Sequence, residues 1–387
     1  MALLGVVVSI HAWAAVDAMA ALQADFKVHV LAASKVVDFT YAKLVPHFLF
    51  HLLVVVVNWI GWEGATQGLH ASGLVVTSVC CGLFAIIAYV VLRRSFDAAP
   101  SPRTSAIAAG LTLAVVMISP VTIFTWPDNL YLGYIGLQVF HSPTQLVLRP
   151  IALVLFLCIL RIFSDDRRSA DAPLIAITTA ATALSALAKP TYLPCLLPGV
   201  GLLFLYRLAR GRAVDWRLVI VGLALPAVAL LLWQFSLAYT GAGSGKILFM
   251  PFAVVAHHSD WLVPKFFLSL LFPLCAYALY FKEARTTVSV NLGWLVLFFG
   301  VSQMYLLAES GRRMWHGNFL WGAQLSLLIL VLMTTAFFVE RLRDSFATPG
   351  GDRSIVKAAT VGGAFALHLV SGLYQSYARF TRDITSW

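Results

Sequence analysis

Charge is what this chain has least of. Only 11% of its 387 residues are Asp, Glu, Lys or Arg, while 60% are hydrophobic. A soluble domain carries about 25% charged residues. A water-facing fold is therefore excluded, and the mean hydropathy of +0.86 agrees. No polar gap is long enough to hold a folded soluble domain. Other things are missing too. No Ser/Gly-rich linker divides the chain, and no pair of broken helices recurs in two halves as in many transporters. The first residues lack a basic segment and a small-residue cleavage site, so they are expected to be a retained first span. Cysteine is scarce, and Cys80, Cys81, Cys158, Cys195 and Cys275 all lie in apolar stretches. They read as small buried hydrophobes, not as disulfides or metal ligands.

What is present is a succession of apolar stretches near the length that crosses a bilayer as a helix. Spans are expected at 2–21, 73–92, 105–125, 150–163, 172–188, 192–208, 218–238, 264–281, 288–308, 319–339 and 358–376. The expectation is an all-α polytopic membrane protein of about 11 transmembrane helices, one domain over 1–387. Residues 48–62 are apolar but short for a crossing, and are expected to form a juxtamembrane helix. If they crossed, Arg93, Arg94, Arg103, Arg167, Arg168 and the Arg207–Arg217 cluster would all face outward. Keeping them on one side puts those arginines in the cytoplasm, as the positive-inside rule prefers. The net charge of +10 is then explained by topology and anionic headgroups, with no need for nucleic acid.

This arrangement leaves four polar loops on the opposite, outer face: about 22–72, 126–149, 239–263 and 309–318. Ionisable groups at a membrane boundary are expensive to desolvate, so their clustering there marks a functional site. In the first loop Asp25 and His29 are four apart and share a face if helical, as do His47 and His51. Asp25 is a candidate general base for a hydroxyl, with His29 orienting it; a solvated interfacial helix is the plainer alternative. The second loop offers Asp128, Asn129 and His141 among aromatics, a mixture suited to a sugar. Arg149 at its end is a candidate phosphate ligand, although interfacial Tyr, Trp and Arg also belong to lipid belts. Lys189 sits in a tight turn, as an anchor or a phosphate ligand. The pair His257-His258 lacks partners at metal spacing. In the last loop Glu309, Arg313 and His316 would form one stripe if helical, with Arg312 alongside and Gly317-Asn318 following. That set suits a phosphate, or else a simple ion pair.

Taken together, the pattern resembles the GT-C superfamily of polyprenyl-linked glycosyltransferases, and within it a poorly characterised bacterial membrane group. The likeness rests on Asp25 in Asp-x-x-x-His29, Pro46-His47-Phe-Leu-Phe-His51, His141-Ser-Pro-Thr144 to Arg149-Pro150, and Glu309-x-Gly-x-Arg313 to Gly317-Asn-Phe-x-Trp321. The resemblance implies a helical fold in the bacterial cytoplasmic membrane, with the active site facing the periplasm or exterior. Asp25 would be the base, and the donor a polyprenyl-phosphate-linked sugar whose transfer inverts the anomeric centre. Its acceptor would be a glycan or lipid. The second carboxylate common in that loop is here His29, and no cofactor is implied firmly, a divalent cation being the one candidate. The alternatives are a surface-polysaccharide polymerase or ligase, a flippase for a lipid-linked glycan, and an acyltransferase built on a span histidine such as His368.

Overall fold

The computed structural model describes residues 1–22, 24–36, 46–96, 101–123, 130–163, 171–240, 245–347 and 352–381. The chain is a multi-pass membrane protein: among the described residues eight helices are long and apolar enough to cross a bilayer. In chain order the helices of ten or more residues are α1 (Ala2–Leu22), α2 (Ala24–Ala33), α3 (Leu49–Trp62), α4 (Leu69–Arg94), α5 (Pro102–Met117), α6 (Pro143–Leu160), α7 (Ala172–Ala188) and α8 (Leu193–Ala209). They continue with α9 (Leu225–Tyr239), α10 (Leu262–Leu279), α11 (Val288–Leu306), α12 (Leu320–Ala347) and α13 (Asp352–Thr381). Four of these, α3, α5, α7 and α8, are shorter apolar helices. Two three-residue strands, β1 (Ile247–Phe249) and β2 (Leu307–Glu309), pair antiparallel.

Helix α12 is the axis of the bundle. Its candidate span is 94% buried, against 28% for α13, so α12 faces protein all round while α13 keeps a lipid-facing side. Close approach to α12 depends on small residues, as is usual where apolar packing alone cannot hold helices together in lipid. A Cβ on Gly300 of α11 would lie 2.8 Å from Ala323 Cα, and one on Gly322 would lie 2.8 Å from the Thr191 carbonyl.

Packing also fixes which helix ends lie together. Near its start α1 meets the far half of α4, where Gly5 lies against Ile86 and Gly82. Near its end Asp17 meets His70 at the start of α4. The two helices are therefore antiparallel, and the chain leaves α1 and enters α4 at the same end of the bundle. Helix α3, between them, makes no net crossing. At about 1.5 Å per residue its 14 residues reach about 21 Å, short of a bilayer core of about 30 Å. At the other end of α4, Arg343 Nη1 of α12 donates to the Ser95 carbonyl, which gathers Arg93, Arg94, Arg341 and Arg343 away from the end that carries α2, α3 and Trp321.

One helix is widened for a readable reason. Residues Leu218–Ala224, which lead into α9, form a π-helical stretch. Pro226 has no N–H, so the carbonyls of Val221 and Gly222 lose their partners in the π and α registers. Thr179 and Thr182 of α7 donate to those two carbonyls at 3.1 and 2.9 Å, which fastens α9 to α7.

Candidate functional site

The site is built on α2, which lies across the start of α4. Phe26 and Val30 bury against Gly73, where a Cβ would stand 2.7 Å from Val30 and 3.0 Å from Phe26. Asp25 and His29 are presented elsewhere on that short helix, as their spacing of four anticipates. His29 Nε2 stands 3.6 Å from Asp25 Oδ1. Its Nδ1 is 3.0 Å from His51 Nε2 of α3, so a carboxylate and two imidazoles stand in a row. Asp25 keeps 44% of its side chain exposed and remains within reach of a substrate. Desolvation nonetheless raises its pKa, with the nearby Lys189 ammonium pulling the other way. Burial, followed by the same ammonium, lowers His29 to about 4, so that imidazole is neutral at pH 7.

His47 differs from the helical pairing expected of it. Helix α3 begins at Leu49, so His47 and His51 are not on one helical stripe. His47 lies in the approach to α3, where Gln234 of α9 holds it near α7 by donating to the carbonyls of Pro46 and Ala186. Burial is the main cause that takes His47 down to about 3, with Lys189 next and Arg313 among the smaller contributors. Residues from the first loop, the Lys189 turn and the last loop thus lie within one another's electrostatic range.

Lys189 is the hub. Its ammonium donates to Ser142 Oγ at 2.9 Å and sits 3.7 Å from the centre of the Trp321 ring. Ser142 is the N-cap residue of α6, yet its hydroxyl does not cap the helix; it serves Lys189 instead. His141, beside it, faces the same indole with ring centres 5.4 Å apart, and burial lowers its pKa to about 3. Desolvation also lowers Lys189, to about 7, with Asp25 opposing. A lysine near neutrality can hold an anion as ammonium or give up its proton.

Several expected ligands are placed differently. Arg149, anticipated at the end of a loop on the membrane edge, lies inside α6, is only 7% exposed and donates to the Leu137 carbonyl. The helix starts at Pro143, seven residues before the expected boundary at 150, because Ser142-Pro143 is an N-cap and first-turn pair. Arg149 lines a small cavity with His11, Phe84 and Phe140, with room for about one water. The last loop is not a single helix either. Glu309 ends β2, opposite Ile247, and Gly311–His316 is a 3-10 turn. The single stripe through Glu309, Arg313 and His316 is therefore not formed. Buried Glu309 accepts from Tyr239 OH at 2.8 Å and from the Asn318 amide. Arg312, Arg313 and His316 are exposed. Gly317 turns the chain at φ +64°, where a Cβ would collide with Leu132. Asp128 and Asn129 lie outside the described residues.

Sequence reasoning passed over Trp321 and Ser142, which contact Lys189, and Tyr239, which donates to Glu309. The first two lay in motifs already singled out. Among the described residues no group of three or more His, Cys, Asp or Glu is gathered to hold a metal ion. Comparison with protein-family models, curated proteins and solved structures finds no match for this chain.

Proposed function

We propose that the chain is a membrane glycosyltransferase with a GT-C-like fold. It would move a sugar from a polyprenyl-phosphate donor to a glycan or lipid acceptor on the outer face of the bacterial cytoplasmic membrane. In this reading α5, α7 and α8 join the eight long helices to make eleven crossings. The observation that carries it is the electrostatic coupling of Asp25 and Lys189: a reachable carboxylate within range of a buried ammonium, at one end of an apolar bundle.

The chemistry needs both groups. Asp25 takes the proton of the acceptor hydroxyl as its oxygen bonds the anomeric carbon. The bond from that carbon to the phosphate oxygen breaks, and its electron pair leaves with the lipid phosphate. Lys189 and Arg313 balance the charge that develops there. A phosphate beside Lys189 favours the ammonium, so binding the donor completes the cation. His29 holds the base, and His51 holds His29. Attack and departure on opposite faces of the sugar invert it.

The test is release of lipid phosphate from a radiolabelled polyprenyl-phosphate hexose by the purified protein in nanodiscs, with membrane glycolipid extract as acceptor. The expected result is labelled product together with free lipid phosphate. Intact donor across a panel of hexoses and acceptors would contradict the reading.

A further inference from the structure

The knot around Lys189 holds more polar atoms than it pairs. Thr144 Oγ1, Gln145 Oε1, Tyr192 OH, and both Oε1 and Nε2 of Gln324 are buried without a hydrogen-bond partner. None of these four residues is more than 2% exposed. They lie on the three segments that meet at Lys189. Thr144 and Gln145 follow Ser142, which binds Lys189. The Gln145 amide donates to the Trp321 carbonyl at 3.0 Å. Gln324 lies one turn beyond Trp321, on the same side of α12. Tyr192 follows Thr191, against whose carbonyl α12 is pressed at Gly322.

Buried polar groups are normally satisfied, and each orphan carries its full desolvation penalty. Five orphan atoms on the segments that meet at Lys189 are a standing cost that a bound ligand can relieve. Their types say which ligand. Two are amide carbonyls, which accept only and repel an anion; one is an amide N–H, which donates only; two are hydroxyls, which do either. The complement is a neutral molecule rich in groups that both donate and accept. A glycosyl phosphate carries such a hydroxylated ring joined through one oxygen to its anion, and here the orphans lie on the segments that meet at Lys189.

We infer that Thr144, Gln145, Tyr192 and Gln324 form the subsite for a hexopyranosyl ring, with Lys189 at its phosphate end. This rests on the glycosyltransferase reading and names the residues that recognise the transferred sugar.

The inference makes an unusual demand on stability. Apolar isosteres at orphan positions should not weaken the empty protein, yet should spoil the subsite. The experiment compares wild type, Gln324→Leu and Thr144→Val in nanodiscs free of glycosidic detergent. Saturation-transfer NMR reads binding of methyl hexopyranosides and hexose 1-phosphates, and thermal midpoints are measured without ligand. Ser78→Ala, which removes an orphan hydroxyl on α4 away from the site, is the control. Expected are binding by wild type and Ser78→Ala, at least tenfold weaker binding by the two site variants, and midpoints that do not fall. Absence of pyranoside binding by wild type, unchanged binding by both site variants, or a midpoint several degrees lower in both would overturn it. Pyranoside binding that these variants lose, with no transfer from any lipid donor, would leave the subsite standing and remove the glycosyltransferase reading. Normal transfer by Gln324→Leu would do the reverse.

Discussion

Lys189 rests against the face of Trp321, its ammonium 3.7 Å from the ring centre, and this contact ties the turn after α7 to the start of α12. The indole and Ser142 Oγ offset part of what burying the charge costs, but not all: the pKa falls to about 7 from a reference of 10.5. Between those values the unfolded chain binds the extra proton, so stability rises as pH rises through that window. The thermal midpoint should climb between pH 7 and 10, and Lys189→Met should flatten the climb. Equal slopes in the two proteins would show that Lys189 does not titrate there.

The histidines act in a different window. His29 is lowered to about 4 and His47 and His141 to about 3, in each case chiefly by burial, from a reference of 6.5. Their contribution is fully present above pH 6.5 and is lost as acid protonates the unfolded chain first. The midpoint should therefore drop between pH 6.5 and 4. The double variant His47→Gln, His141→Gln should drop less steeply; an unchanged profile would mean that neither ring is buried as described.

Glu309 and Arg313, four residues apart, should separate in their effects. Glu309→Gln weakens charge-assisted hydrogen bonds from Tyr239 and Asn318, each worth roughly 1.5–3 kcal/mol, so the midpoint should fall. Arg313 is exposed, and Arg313→Ala should alter stability by no more than about 0.5 kcal/mol. Losing a contact to the leaving phosphate should still slow transfer by roughly 2–4 kcal/mol of barrier. Arg313→Ala with wild-type turnover would remove it from the reaction.

The sequence carried more of the fold than of the site, for physical reasons. Apolar runs located the long helices, because burial in lipid depends on composition over about 20 residues. Arg149-Pro150 was misread as a boundary: an arginine and a proline suggest an end, yet α6 accommodates Pro150 and the Leu137 carbonyl receives the guanidinium. The strand at Leu307–Glu309 was illegible because its partner, Ile247–Phe249, is remote in sequence and neither has length enough for a pattern. That Asp25 and His29 share one face of a helix was readable from their spacing alone. Lys189 was named, but as one ligand among many; only the packing of α7, α6 and α12 makes it the hub. Trp321 stood in a quoted motif without a role for the same reason.

The return of α1 and α4 to one end of the bundle has a topological consequence. A single cysteine at Ser101, in a cysteine-free background, should not react with an impermeant maleimide in intact cells, because Ser101 follows α4 at the end away from the site. A cysteine replacing exposed Gly64 should react. Labelling of Ser101→Cys from outside would place the site in the cytoplasm.

The central claim is that Asp25 is the base at a site that holds a lipid-phosphate sugar. Asp25→Asn keeps the shape and removes the proton acceptor, and general-base catalysis contributes typically 10²–10⁴-fold. The decisive measurement is donor binding and turnover on the same Asp25→Asn sample in nanodiscs. The expected result is transfer reduced at least a hundredfold, with donor affinity within threefold of wild type and an unreduced thermal midpoint. Turnover near that of wild type, with the donor bound as tightly, would contradict the account.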